Sequence, residues 1–170
     1  MERKEMIMAR SLVPKGGNDR VYTPDDLAWR IVDHYRPQGK ILEPCAGGGA
    51  FVRALQRAGH KPIELELDRG YDFFEYAGKV DWVITNPPWS KARDFAKHAY
   101  EISHDVVFLI TLNHFTALKA RFRDMQEANF MIREIALVDT PPDPWPQSGF
   151  QLGAIHFQKG WKGKSGFTYL

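Results

Sequence analysis

Lys40-Ile41-Leu42-Glu43-Pro44-Cys45-Ala46-Gly47-Gly48-Gly49-Ala50-Phe51 is the stretch that decides the fold. Ile41, Leu42 and Glu43 read as a short strand that runs directly into a glycine-rich turn. Phe51, Val52, Leu55 and Ala58 then recur at helical spacing, with Gly59 as the stop. Strand, tight turn and amphipathic helix together form the opening unit of an α/β sheet, where ligands sit at the carboxyl ends of the strands.

Outward from this unit the same alternation continues. Thr23 is placed to cap a helix, with Pro24 at its first position and Asp25 and Asp26 at its positive end. Leu27, Ala28, Ile31, Val32 and Tyr35 mark its apolar face. Further strands are expected at 62–67, 80–84, 106–111, 132–138 and 152–157. One intervening helix carries Ala92, Phe95, Ala96 and Ala99, and another carries Phe115, Leu118, Phe122 and Met125. The expectation is a mostly parallel α/β sheet with helices on both faces, formed by residues 22–158 as one domain. Residues 1–21 read as a flexible basic arm and 159–170 as a basic, aromatic tail.

The chain has 170 residues, enough for one sizeable core, and 44% apolar and 26% charged residues are ordinary for a soluble domain. No apolar run approaches the roughly 20 residues of a membrane span, and the first residues lack the apolar core of a secretory signal. The single cysteine, Cys45, excludes an internal disulfide and a cysteine-based zinc site, which makes a cytoplasmic location the expectation. The six histidines show no ligand spacing, so no metal is expected; His114 and His156 read as structural or surface residues. Net charge is only +2, but its distribution is uneven. Acids gather at Glu64, Glu66, Asp68, Asp72, Glu75 and Asp81, while Arg3, Lys4, Arg10, Lys15, Arg20, Lys159, Lys162 and Lys164 occupy the ends. Basic ends suit phosphate contacts, and equally suit solubility.

The turn lacks the Lys-Ser/Thr pair of a phosphate loop and is not a full dinucleotide fingerprint. Glu43 immediately before it repels a pyrophosphate and welcomes a cation, such as a ligand carrying an amine and a sulfonium. A tight turn without ligand is the alternative. Glu64, Glu66 and Asp68 fall where a carboxylate accepts from ribose hydroxyls, with Glu66 the preferred residue and Asp68 second.

The second informative stretch is Asn86-Pro87-Pro88-Trp89, at the end of an expected strand and 39 residues after Gly47. An exocyclic amine on an aromatic ring is a weak nucleophile because its lone pair is delocalised. Acceptance of its two N–H groups by the Asn86 side-chain oxygen and the Pro87 carbonyl returns electron density to nitrogen. Two prolines hold those acceptors rigidly, and Trp89 offers a flat face for the base.

These stretches resemble the amino-methyltransferases, specifically the adenine-N6 DNA methyltransferases of bacteria and phages. Leu42-Glu43-Pro44-Cys45-Ala46-Gly47-Gly48-Gly49-Ala50-Phe51 is similar to their cofactor motif, and Asn86-Pro87-Pro88-Trp89 to their catalytic motif. Tyr22-Thr23-Pro24 resembles the segment that covers the cofactor's methionine end. Glu66-Leu67-Asp68 resembles the ribose-binding strand end, and Asp72-Phe73-Phe74 the segment whose Asp72 and Phe73 hold the cofactor adenine. The resemblance spans most of 22–158. It implies a Rossmann-like class I methyltransferase sheet of seven strands, the last antiparallel, with S-adenosylmethionine as cofactor and DNA as substrate. Glutamine or RNA-base methylation, or a non-catalytic binding subunit, are the competing readings; a homodimer is not excluded.

Sequence-selective members carry a separate recognition region. The stretch between the two motifs is too short for one and thirteen residues follow Phe157, so either specificity is relaxed, which is the expectation, or recognition comes from loops, the ends or a partner. Lys91, Arg93 and Arg121, together with Lys119 and Arg123, are candidate phosphate contacts. The rigid loop 139–150 offers Trp145 and Phe150 to clamp a flipped base, or packs its own aromatics. Trp161, Phe167 and Tyr169 among the tail lysines either stack on nucleic acid or lie in a disordered end.

Overall fold

The computed structural model describes residues 21–116, 119–147 and 149–170. The basic arm, apart from Val21, and the helix position Leu118 therefore lie outside the described residues. Seven strands form one sheet: β1 Ile41–Glu43, β2 Ile63–Glu64, β3 Trp82–Thr85, β4 Asp105–Thr111, β5 Phe130–Val138, β6 Leu152–Lys159 and β7 Gly166–Tyr169. Their order across the sheet is β2-β1-β3-β4-β6-β5-β7. Only β6 runs against its neighbours β4 and β5; the other pairings are parallel.

Strand β4 shows why the sheet is covered twice. Its run Val106-Val107-Phe108-Leu109-Ile110 is buried throughout, the signature of a strand with helices on both faces. Val106, Phe108 and Ile110 point to one face, where they meet Phe95, Ala96, Ala99 and Tyr100 of α3 (Ala92–Ile102) and Met125 of α5 (Lys119–Glu127). Val107 and Leu109 point to the other, against Leu27, Ala28 and Ile31 of α1 (Asp25–Tyr35) and Phe51, Ala54 and Leu55 of α2 (Ala50–Arg57). A single turn, α4 (Asn113–Thr116), follows β4 and inserts Phe115 beneath the first of these layers.

Several local expectations are corrected. Pro24, not Thr23, is the N-cap of α1, and its carbonyl accepts from Ala28 N–H at 3.0 Å. Strand β2 stops at Glu64, because Glu66 turns away to cap the 3₁₀ turn Leu67–Arg69. Alternation along a strand therefore does not relate Glu64 to Glu66 and Asp68. Phe122, placed on the apolar face of its helix, is exposed. The tail is not a disordered end, since β7 extends the sheet in parallel with β5. The sheet does have seven strands, but the antiparallel one is the sixth in sequence, and the seventh is parallel at the edge.

Phe157 sits where the layers converge, with its ring 4.9 Å from Phe115, 5.8 Å from Tyr100 and 6.2 Å from Phe108. Its side chain is fully buried. Phe157→Ala is expected to cost about 3–5 kcal/mol, the usual penalty for deleting a buried ring without collapse of the cavity. Urea unfolding followed by circular dichroism checks this, and a loss below about 1 kcal/mol would contradict the packing described.

Candidate active site

Parallel pairing sets β1 beside β3, with Leu42 opposite Val83. The turns that leave their carboxyl ends therefore open side by side onto one cavity of about 440 Å³, within the range of small-molecule sites. The β1 turn is folded by its glycines. Gly47 and Gly49 have φ of 47° and 80°, left-handed values that L side chains rarely adopt. A β-carbon at Gly47 would also stand 3.1 Å from the ring of Tyr22, which lies across the turn.

Carboxylates organise this turn. Glu66 accepts from Gly47 N–H at 2.6 Å and from Asp68 N–H at 3.2 Å, joining the β1 and β2 ends. Glu43, only 1% exposed, accepts from Cys45 N–H at 2.8 Å. Burial above all pushes its carboxyl up to about 8. Asp72 accepts from Phe74 N–H at 2.9 Å and so presents the 3₁₀ turn Phe73–Glu75 to the cavity. Burial and then Glu43 also push the Cys45 thiol up, which keeps it a thiol and a packing group.

At the β3 end, Asn86 has its two amide atoms in different circumstances. Nδ2 donates to the Val21 carbonyl at 3.1 Å, while Oδ1 is buried without a hydrogen-bond partner among the described residues. A buried, unsatisfied acceptor is costly unless a ligand donor completes it. Pro88 begins the 3₁₀ turn Trp89–Lys91, and the Trp89 ring stands 5.8 Å from His114 and 6.2 Å from Trp145.

No protein-family model matches the chain, and no curated protein matches it in sequence. Solved structures do match. A Pyrococcus horikoshii protein described as an RNA methyltransferase aligns with TM-score 0.58 and 17% identity over 87% of this chain and 90% of its own. A Listeria monocytogenes class I S-adenosylmethionine-dependent methyltransferase aligns with TM-score 0.61 and 13% identity over 89% of this chain and 66% of its own. The M protein of the type I restriction enzyme EcoKI aligns with TM-score 0.63 and 16% identity over 88% of this chain, which spans only 45% of that protein. The fold is that of the class I S-adenosylmethionine-dependent methyltransferases.

Within this methyltransferase fold, most of the residues singled out from sequence line one cavity. They are Tyr22, Thr23, Glu43, Pro44, Cys45, Ala46, Gly47, Phe51, Glu66, Asp68, Asp72, Phe73, Asn86, Pro88 and Lys91. Pro24, Gly49, Pro87 and Trp89 flank it without lining it. Phe73 is almost wholly buried against Phe95 and His98, whereas its neighbour Phe74 lines the cavity while 40% exposed. Sequence reasoning gives no role to Leu67 and Phe74, although both fall inside the quoted segments, and does not single out Arg69; all three line the cavity once the chain turns at Glu66 and Asp72. His114, read as structural or surface, bonds Thr111 through Nδ1 at 2.9 Å and stands against Trp89.

Four candidates are placed differently from expectation. Trp145 is 4% exposed and packs into the α1–α2 layer, so it is not an open clamp. Arg93 is held by Asp124 through contacts of 2.6 and 3.0 Å, and Arg121 donates to the His114 carbonyl over the Phe115 ring. Phe150 is exposed and does not line the cavity.

The Glu43 carboxyl gives the site a pH signature. An unfolded glutamate loses its proton near its ordinary value of 4.5, but the folded one keeps it to about 8. Between those values the native state binds more protons, so this group lowers stability as pH rises through the window. Glu43→Gln, which can still accept from Cys45 N–H, is expected to flatten the decline by a few kcal/mol, the order set by about 1.4 kcal/mol per pH unit of displacement. Urea midpoints of both proteins at pH 5, 6.5 and 8 test it; parallel profiles would refute the buried-proton account.

Proposed function

We propose that this chain is an S-adenosylmethionine-dependent methyltransferase of exocyclic amino groups, with N6 of adenine in DNA as its target. The observation that carries this reading is the buried Asn86 Oδ1, an acceptor without a partner among the described residues, at the rim of an acidic, glycine-turned cavity. The class I fold supports the cofactor, and the EcoKI M protein, a restriction-enzyme component, supports DNA.

The residues fit the cofactor. Glu66 and Asp68 bring carboxylates to the β1 turn, the buried Glu43 offers it a polar acceptor, and Tyr22, Thr23, Asp72 and Phe74 line the same cavity. S-adenosylmethionine, when bound there, supplies an electrophilic methyl group. Asn86 Oδ1 and the Pro87 carbonyl accept the amine's two N–H groups and aim its lone pair. Trp89 offers the base a ring face, and Lys91, the one of the five proposed phosphate cations that lines the cavity, faces the incoming strand. Relaxed sequence choice follows from the same reading, because specific readout needs several base-edge contacts beyond the flipped base.

Asn86→Ala is expected to lower turnover by about 100-fold or more, the usual effect of deleting one preorganised hydrogen bond, while cofactor affinity changes little. Calorimetric titration with S-adenosylmethionine and single-turnover methyl transfer separate the two quantities. Gly47→Val, by contrast, is expected to abolish cofactor binding, since its β-carbon meets the Tyr22 ring in a left-handed backbone. Substrate is decided by offering labelled cofactor with DNA, RNA or protein and digesting the product to nucleosides or amino acids. Label in N6-methyladenine from DNA is the expected outcome. Label only in RNA would transfer the reading to the class named for the Pyrococcus horikoshii protein.

A further inference from the structure

The Asn86 amide can hold either its oxygen or its nitrogen toward the cavity, and only the first accepts from an amine. The choice is made by a carbonyl outside the motif. Nδ2 donates to Val21 O at 3.1 Å, which leaves Oδ1 as the atom without a partner. The next carbonyl along the same segment, Tyr22 O, accepts from Trp145 Nε1 at 2.9 Å. Trp145 itself is 4% exposed and packed among α1–α2 core residues, with its ring edge-on to Trp89 at 6.2 Å and 66°. A fixed indole thus holds the Val21–Tyr22 segment, and that segment holds the amide.

We propose that Trp145 is a positioning residue for the target amine, acting through Val21–Tyr22 to keep Asn86 Oδ1 turned toward the cavity. The buried indole N–H is the anchor because it is a donor only and its partner is a backbone carbonyl that side-chain substitution does not remove. Loss of this bond frees the Val21 carbonyl to move and lets the amide sample the flipped orientation, in which –NH₂ opposes the amine's own N–H groups. Tyr22 also lies over the cofactor turn, so the same anchor links the cofactor side of the cavity to the amine side. The structural part of this proposal stands on geometry alone; its catalytic part rests on the methyl-transfer reading.

Trp145→Phe keeps a ring in place and removes the donor. Benzothienylalanine at position 145 keeps the bicyclic shape as well, and replaces the phenylalanine variant if that one does not fold. The first measurement needs no ligand: the Asn86 side-chain amide is followed by nitrogen-15 NMR. Its resonances are expected to shift and its exchange with water to rise about tenfold in the variant, as for a locally opened hydrogen bond. An unchanged Asn86 amide overturns the proposal whatever the protein methylates. The second measurement is single-turnover methyl transfer to an adenine-containing oligonucleotide at saturating S-adenosylmethionine. Trp145→Phe is expected to slow it about tenfold, but less than about twofold when made in an Asn86→Ala background, because the two residues act in series. Equal slowing in both backgrounds also overturns it, since a packing defect would act without Asn86. A responsive amide in a protein that methylates no DNA, RNA or protein leaves the positioning intact and refutes the functional reading instead.

Discussion

Everything at the cavity depends on the direct pairing of β1 with β3. Two parallel strands that are neighbours in space but separated in sequence by α2 and β2 end at the same level of the sheet. Parallel neighbours lie about 4.8 Å apart, so the chain leaving β1 and the chain leaving β3 diverge from nearly one point. The acidic glycine turn and the Asn86 turn are brought within one small cavity by that adjacency alone. Any rearrangement that inserted a strand between them would leave both stretches folded and the cavity gone.

The cavity is also a place where the chain holds unfavourable groups. Burial of the Glu43 carboxyl is only partly offset by the Cys45 N–H, and Asn86 Oδ1 has no partner among the described residues, so both oppose folding. Thr85 Oγ1, Tyr100 Oη, Asn113 Oδ1 and Trp161 Nε1 are also buried without a hydrogen-bond partner among the described residues, but none of those residues lines the cavity. His156, by contrast, is 3% exposed and bonds Asp105 at 2.7 Å. Among these orphaned atoms, Asn86 Oδ1 belongs to a residue that lines the cavity, where a ligand donor can complete it.

What was legible in the sequence was local. Ile41–Glu43, the glycines after it and Asn86-Pro87-Pro88-Trp89 are read from backbone constraints contained within a few residues, and these stretches line or flank the cavity. What was not legible depended on partners far along the chain. Trp145 is buried because its indole meets a carbonyl 123 residues away, and a proline-rich loop gives no sign of that. Arg93 is committed to Asp124 across two helices. The segment 166–169 holds strand-favouring Phe167, Thr168 and Tyr169, but it is only four residues long and follows Gly160, Gly163 and Gly166, so its strand becomes evident only once β5 offers it an edge. The early end of β2 likewise follows from Glu66 reaching Gly47, 19 residues distant.

The placement of the tryptophans has an optical consequence. The chain has five. Trp29 lies under the Arg57 guanidinium at 3.8 Å, Trp82 stacks on His156 at 5.0 Å, and Arg133 covers Trp161 at 5.0 Å. Each of these three is held by a neighbour remote from the cavity. Trp89 and Trp145 are instead paired at its edge, close enough to exchange excitation energy. Emission from this pair therefore responds to whatever stacks on Trp89, against a background that the other three keep constant. On the proposed reading, in which a base stacks on Trp89, this pair is a fluorescent reporter of that step with no dye attached.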